Sequence, residues 1–106
     1  MWTLEFVSEV ALGEVEDLPD DIRKKFVQLK VRIETHGLDR LREPDAKHVE
    51  DKLWELRMSG RDKIARSLYM ARSGQRVVIL RTFIKKTQKL PRREIETALK
   101  RLAEMK

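Results

Sequence analysis

The sequence predicts an α+β domain in which a small antiparallel sheet of about four strands is accompanied by two N-terminal helices and a C-terminal helix. Two patterns predict this class. Apolar residues recur at helical spacing in residues 19–36 and 91–105, and they alternate with polar residues through residues 52–86. A chain of 106 residues is long enough for one modest core, so we expect a single domain over residues 1–106.

Composition favours a soluble protein and narrows the chemistry of any site. The chain has 41% hydrophobic and 40% charged residues, and no apolar run approaches the roughly 20 residues of a membrane span. The N-terminus lacks the basic start and the apolar core of a signal peptide. Because cysteine is absent, disulfides and thiolate metal sites are excluded. We expect a cytoplasmic protein with no cofactor and no membrane partner.

Charge is distributed unevenly along the chain. The net charge is +6, but residues 1–21 contain seven acids and no Lys or Arg, which leaves +13 on the other 85 residues. The stretch from Arg57 to Arg93 carries twelve Lys or Arg residues and one acid, Asp62. Such an asymmetry favours binding of a polyanion such as nucleic acid. The alternative is that the acidic segment folds against the basic one and neutralises part of it.

The N-terminal half predicts one strand, two helices and a loop. Residues 2–7 are aromatic and β-branched with rough alternation, which favours a strand. The acidic residues 8–18 predict a short helix. A Pro-Asp-Asp start and four apolar residues at helical spacing predict a helix over 19–36 that packs on the sheet and ends at Gly37. Residues 38–50 predict a loop because they combine a proline with mixed charge.

The next stretch, residues 52–86, predicts a three-stranded antiparallel meander. Its strands and turns are expected at 52–58, 59–62, 63–72, 73–74 and 75–86. A two-residue turn at 73–74 would pair Arg66 with Arg81, and a four-residue turn at 59–62 would place Glu55 beside Arg66. Trp54 and Tyr69 are expected in the core. The chain then closes with an amphipathic helix over 91–105.

One face of the meander gathers side chains that suit a phosphate. The predicted register places five of them together, with Glu55 beside them: Arg57, Arg66, Arg81, Phe83 and Lys85. Arg66 directly opposite Arg81 would be a destabilising pair of like charges unless Glu55 or a bound anion compensates it. The alternative is a solvated face whose long side chains splay apart. Phe83 offers a ring for base stacking, or it belongs to the core.

Cleavage of RNA by its own 2′-hydroxyl requires a base, an acid and cations that stabilise the phosphate. Arginine binds phosphate in a bidentate manner. Crowding by arginines lowers the pKa of a lysine, which makes Lys85 or Lys86 a candidate acid or base. His48 is the nearest histidine, and we interpret it as a surface residue because no second histidine accompanies it. With one acid in the basic stretch, metal catalysis is not expected, and the same features also fit a plain RNA or DNA binder.

Three motifs carry a resemblance to a known family. They are Leu53-Trp54-Glu55-Leu56-Arg57, Arg66-Ser67-Leu68-Tyr69 and Phe83-Ile84-Lys85-Lys86-Thr87-Gln88-Lys89-Leu90-Pro91. The chain resembles the phage-derived, HigB-like toxins of the RelE/ParE superfamily, closely over residues 45–103. The resemblance implies the RelE/ParE fold and a toxin of a type II toxin–antitoxin module. Such a toxin cuts mRNA in the ribosomal A site, and a cognate helix-turn-helix antitoxin neutralises it.

The resemblance also implies roles for individual residues. Arg57 and Arg66 would contact the scissile phosphate, Phe83 would stack near the cut base, and Lys85 and Lys86 would supply charge and proton transfer. Six further cations are expected to bind the flanking RNA: Arg61, Lys63, Arg81, Lys89, Arg92 and Arg93. The superfamily also contains gyrase-poisoning members, so the fold by itself does not decide the activity. A gyrase inhibitor, a non-enzymatic nucleic-acid-binding module and an inactive toxin are the alternatives.

Overall fold

The computed structural model describes residues 1–86 and 89–105, and in this part of the chain five strands and three helices form an α+β structure. In chain order they are β1 (Thr3–Phe6), α1 (Glu9–Glu16), α2 (Asp20–His36), β2 (Ala46–Glu50), β3 (Leu53–Ser59), β4 (Ile64–Arg72), β5 (Arg76–Lys85) and α3 (Arg92–Ala103). The α+β class and the two N-terminal helices followed by a C-terminal one are confirmed. None of these helices is long and apolar enough to cross a membrane.

The strands form one mixed sheet in the order β1-β5-β4-β3-β2. β1 runs parallel to β5, whereas the other neighbours are antiparallel. Two expectations were therefore wrong, since the sheet is not purely antiparallel and residues 46–50 form an edge strand instead of a loop. β2 is a largely polar segment whose extended shape comes from pairing with β3. The alternation in β1 indicated a strand, but alternation does not specify a partner or its direction.

Local signals place the ends of the first two helices. The Ser8 hydroxyl accepts a hydrogen bond from the Ala11 amide at 3.2 Å and so caps α1. Pro19 directly precedes α2, and the expected stop at Gly37 is confirmed. Gly37 has φ of +86°, and a Cβ at this position would lie 2.8 Å from Nε1 of Trp2. Glycine is therefore required there for both backbone conformation and space.

The core lies on both faces of the sheet. α2 packs on one face around Tyr69, whose residue surface is 1% exposed, which confirms the expected core position. α3 packs on the other face and covers Phe83, which is 7% exposed. The core assignment of Trp54 was wrong, because this residue is 40% exposed. Trp54 lies beside the edge strand β2, where the sheet ends and little of the chain can cover it.

The β4–β5 hairpin differs from the predicted register in two places. Its loop has three residues, with Gly74 and Gln75 at positive φ, so Arg72 pairs with Arg76. A bulge between the pairs of Leu68 and Tyr69 then adds a second shift of one residue. Further along, Arg66 lies opposite Phe83 instead of Arg81, and Ile64 lies opposite Lys85. Because two single shifts restore the parity, the side chains keep the predicted face.

The β3–β4 hairpin is also displaced by two residues from the predicted register. Its four-residue loop spans 60–63, where the Gly60 amide donates to the Lys63 carbonyl at 2.8 Å. Arg66 consequently pairs with Arg57, and not with Glu55 as predicted. The Arg61 amide donates to Oδ2 of Asp21 at 2.7 Å, which ties this loop to the start of α2. The hairpin is therefore held at a defined distance from that helix.

The buried ring of Tyr69 makes the stability of the fold depend on pH in the alkaline range. Burial raises the pKa of Tyr69 from 10.0 to about 12. Because the folded pKa lies above the unfolded one, the stability that the neutral phenol contributes is complete below pH 10. It is lost as pH rises from 10 through 12. We expect a loss of up to about 3 kcal/mol in the free energy of unfolding, at roughly 1.4 kcal/mol per pH unit.

The test is urea unfolding of the protein and of Tyr69→Phe between pH 10 and pH 12. The loss is the difference between the two proteins in how the free energy of unfolding changes with pH. Tyr69 is the single tyrosine of the chain, so phenolate absorbance follows its ionisation directly. Parallel curves for the two proteins, or ionisation near pH 10 in the folded state, would contradict the expectation.

Candidate nucleic-acid interface

A cleft of about 790 Å³ opens where β3 and β5 end and β4 begins. α2 forms its second wall, and the segment just before β2 forms its rim. Among the residues that the structure describes, six cations line the cleft against one acid, Asp45. The cations are Lys25, Arg32, Arg57, Arg66, Lys85 and Lys86. The cleft is thus strongly positive, as a phosphate-binding site requires.

Four of the five residues proposed for catalysis come together in this cleft. Arg57 presents a side chain that is 32% exposed, whereas the side chain of Arg66 is 5% exposed and forms part of the floor. Lys85 ends β5, and the exposed Lys86 follows it on the rim. The fifth residue, Phe83, is buried against α3, so its ring belongs to the core.

Glu55 holds the arginines of the cleft in place. Arg57 and Arg66 are directly opposite each other on β3 and β4, which is an unfavourable pairing of like charges. Oε1 of Glu55 lies 2.5 Å from an Nη atom of Arg66 and 3.7 Å from Nε of Arg57. The expectation that Glu55 compensates the charge of Arg66 is confirmed, although the opposing cation is Arg57 and not Arg81. In the described part of the chain, Oε2 of Glu55 and Nε of Arg66 have no hydrogen-bond partner.

The surroundings of Lys85 favour its neutral form. Burial is the largest cause that lowers the pKa of Lys85, and the charges of Arg66, Arg57 and Lys47 lower it further. Glu55 acts in the opposite direction and raises it. The predicted direction is confirmed, but desolvation contributes more than the crowding by arginines from which it was inferred. Lys85 is therefore better suited to proton transfer near neutral pH than an exposed lysine is.

Arg81 lies on the predicted face but does not reach the cleft. Its guanidinium pairs with Glu94 at 2.8 Å and with Glu14, and these hydrogen bonds raise its pKa. Glu14 also accepts hydrogen bonds from Arg101 and from the amide of Thr82. Because Glu14 belongs to the acidic N-terminal segment, this segment does neutralise part of the basic one. The charge of Arg81 is satisfied within the protein, and we leave it out of the interface.

The remaining cations predicted to bind RNA lie outside the lining of the cleft. Arg61, Lys63, Lys89 and Arg93 are exposed, and Arg92 pairs with Glu50 at 2.6 Å. Thr87 and Gln88 of the third motif lie outside the described residues.

Two cations that line the cleft were missed by the analysis of the sequence, namely Lys25 and Arg32 of α2. This helix was interpreted only as a packing element. Their separation of seven residues, or two helical turns, places both on one side of the helix and is the signal that could have identified them. Oδ2 of Asp45 lies 3.0 Å from Arg32, so part of this wall is already neutralised.

The chemistry available in the cleft comes mainly from cations. Within residues 1–86 and 89–105, no group of three or more His, Cys, Asp or Glu residues could hold a metal ion. Arg57 can bind a phosphate oxygen, and Lys85 and Lys86 can exchange a proton with a bound group. The cleft is suited to binding a phosphodiester and to acid–base chemistry on it.

Substitution of Glu55 by Gln tests the buried ion pair. We expect Glu55→Gln to lower the free energy of unfolding by about 3 kcal/mol or more, because it leaves the buried charge of Arg66 uncompensated. The double variant Glu55→Leu/Arg66→Met should lose less than Glu55→Gln, since it removes both charges. Urea unfolding measures each change.

The matched control is Glu5→Gln, which breaks the half-exposed pair of Glu5 with Arg76 at the surface. This variant should change the stability little, because exposed ion pairs are screened by water. Equal effects of Glu55→Gln and Glu5→Gln would contradict a stabilising role of the buried pair.

Comparison with known proteins supports the expectation that the chain belongs to a phage-derived, toxin-like family of RelE/HigB type. None of the curated proteins compared with the chain matches it. The family model described as "Phage derived protein Gp49-like (DUF891)" matches residues 13–103. This range runs from the middle of α1 to the end of α3 and includes all the described cations that line the cleft. The chain therefore belongs to the Gp49-like family of phage-derived proteins.

Proposed function

We propose that the protein is the toxin of a type II toxin–antitoxin module and that it cleaves mRNA on the ribosome. The observation that carries the proposal is the cationic cleft, in which Lys85, with its lowered pKa, lies with Arg57 and Arg66. Such a combination provides both charge stabilisation and a proton acceptor for a phosphodiester. The choice of RNA on the ribosome comes from the resemblance to HigB-like toxins, and the match to a phage-derived family supports the toxin class.

The proposed reaction uses the 2′-hydroxyl of the RNA as nucleophile. The neutral amine of Lys85 takes the 2′-proton, and the 2′-oxygen forms a bond to phosphorus. The bond from phosphorus to the 5′-oxygen breaks, and Lys86 donates a proton to that oxygen. The products are a 2′,3′-cyclic phosphate and a free 5′-hydroxyl. Arg57 binds the non-bridging oxygens, while the buried Arg66, held by Glu55, provides a fixed positive charge as negative charge develops.

The ribosome and the antitoxin complete the proposal. A ribosome would hold a single mRNA strand in the cleft with its 2′-hydroxyl and phosphate correctly oriented. A small open cleft needs this help because it has few contacts with which to orient the strand itself. The resemblance adds a cognate helix-turn-helix antitoxin as the neutralising partner, and the composition of the chain is the basis for proposing the cytoplasm as the location.

Induced expression in bacteria, followed by mapping of mRNA 5′ ends, tests the activity. We expect growth arrest together with new 5′ ends inside translated regions. Growth arrest with intact mRNA and altered DNA supercoiling would replace the proposal with gyrase inhibition. Salt-dependent RNA binding without growth arrest would replace it with a non-enzymatic binding module.

In the same assay, Arg57→Ala and Lys85→Ala should each reduce cleavage about 100-fold or more, because they remove phosphate stabilisation and the proton acceptor. The helix α2 offers a matched pair of controls. Lys25→Ala removes a cation that lines the cleft, whereas Lys24→Ala removes the neighbouring exposed cation that does not. Cleavage should fall with Lys25→Ala and stay unchanged with Lys24→Ala. Equal effects of this pair would argue against the cleft as the active site.

Dependence on pH tests the role of Lys85 as the base. Cleavage by the protein on purified ribosome complexes should rise with pH as Lys85 loses its proton, and it should level off below the ordinary lysine pKa of 10.5. Lys85→Arg keeps the positive charge but cannot accept the proton, so its residual activity should not show this rise. An unchanged pH profile in Lys85→Arg would assign the base to another group.

A further inference from the structure

Trp54 is unusual among the apolar residues of β3 because its indole is exposed. It is 40% exposed, whereas its neighbours Leu53 and Glu55 are 0% and 3% exposed. It points to the face of the sheet that carries α2, as its register partner Tyr69 does. An exposed indole on a rigid strand provides a flat surface at low conformational cost, which suits stacking of another ring.

A histidine fixes the geometry beside this indole. The ring of His48 lies edge-on to Trp54, with 5.1 Å between the ring centroids and 66° between the planes. Nε2 of His48 donates a hydrogen bond to the carbonyl of Asp51 at 2.7 Å, which holds the ring and leaves Nδ1 as an acceptor in the neutral form. Two oriented aromatic rings and a free polar atom are thus combined at one place.

These rings border a second pocket of about 440 Å³. Leu41 and Tyr69 supply apolar lining. The charged lining residues balance, since two cations and two acids face it: Arg42, Lys47, Asp39 and Glu43. A pocket that is aromatic and without net charge is unsuited to a phosphate but suits a neutral planar ring with polar edges.

The second pocket continues from the cationic cleft along one short segment of chain. Pro44 and Asp45 line the cleft, whereas Glu43 and Ala46 on either side line the pocket. Trp54 and Arg57 point to opposite faces of β3, so the pocket adjoins the cleft on its α2 side, where Arg32 pairs with Asp45. A nucleic-acid strand whose phosphates occupy the cleft can therefore place a neighbouring base in the pocket.

We propose that the pocket beside Trp54 binds an unpaired nucleobase of the RNA strand whose backbone lies in the cationic cleft. The base stacks on the indole, and its polar edge faces Nδ1 of His48. The inference rests on the proposed function in taking RNA as the ligand of the cleft. It adds a specificity-determining subsite that no motif or charge pattern of the sequence had indicated.

Intrinsic fluorescence provides a direct test. The chain has two tryptophans, so the Trp2→Phe variant makes Trp54 the only one. Titration of this variant with a short single-stranded RNA should quench the emission of Trp54. An oligomer of the same length without bases should bind the cleft without quenching. Adding Trp54→Ala to Trp2→Phe should weaken binding of the RNA about 5- to 150-fold, which corresponds to the 1–3 kcal/mol of one base stack.

Two further substitutions separate stacking from simple apolar contact. Trp54→Phe keeps an aromatic ring and should retain most of the affinity, whereas Trp54→Leu keeps apolar volume without a ring and should lose affinity as Trp54→Ala does. Circular dichroism and thermal unfolding of each variant confirm the fold. Equal RNA affinity of the phenylalanine, leucine and alanine variants would overturn the inference.

The outcomes distinguish this inference from the proposed function. Quenching by RNA together with intact cellular mRNA would support the base site and refute the nuclease. Cleavage of mRNA that depends on Arg57, without quenching of Trp54, would refute the base site alone. A third outcome would also refute the base site: a partner protein binds this chain only when Trp54 is present, whereas RNA binds equally well without Trp54. The pocket would then be a protein interface.

Discussion

The buried pair of Glu55 with Arg66 is the interaction on which the rest of the cleft depends. Antiparallel pairing of β3 and β4 sets Arg57 against Arg66, and their repulsion would oppose this register without a carboxylate between them. Glu55 supplies that carboxylate from β3 itself. A buried charge that has lost its partner is costly, so the pair is difficult to break once formed. The sheet can therefore present a concentrated positive charge without unfolding.

Ion pairs also neutralise cations away from the cleft. Glu14 from α1 and Glu94 from α3 enclose Arg81, and Glu5 from β1 pairs with Arg76. The acids of the N-terminal segment thus neutralise cations of β5 that lie away from the cleft. In the cleft, the described lining offers Asp45 as its acid against six cations. The uneven charge along the sequence therefore leaves an excess of positive charge at the cleft.

Strand parity could be predicted from the sequence, whereas the partners of individual side chains could not. Arg57, Arg66 and Lys85 were predicted to share a face, and they do, because side chains alternate with a period of two. The cross-strand pairs were wrong because a turn at 60–63 displaced the β3–β4 register by two residues, and a three-residue turn and a bulge displaced the β4–β5 register by two. Arg81 was assigned to the site from its strand parity, and its pairing with Glu14, 67 residues away in the chain, could not be inferred from spacing.

The α+β class, the start of α1, both ends of α2, the parity of the strands and the concentration of cations between Arg57 and Arg93 could all be predicted from the sequence. Each of these depends on spacing or on residue type within a few positions. Four features became clear from the folded protein alone: β2 is a strand, Phe83 is buried, Trp54 is exposed and α2 forms a wall of the cleft. These features depend on which distant segments pack together, because burial and ion pairing are properties of contacts across the chain.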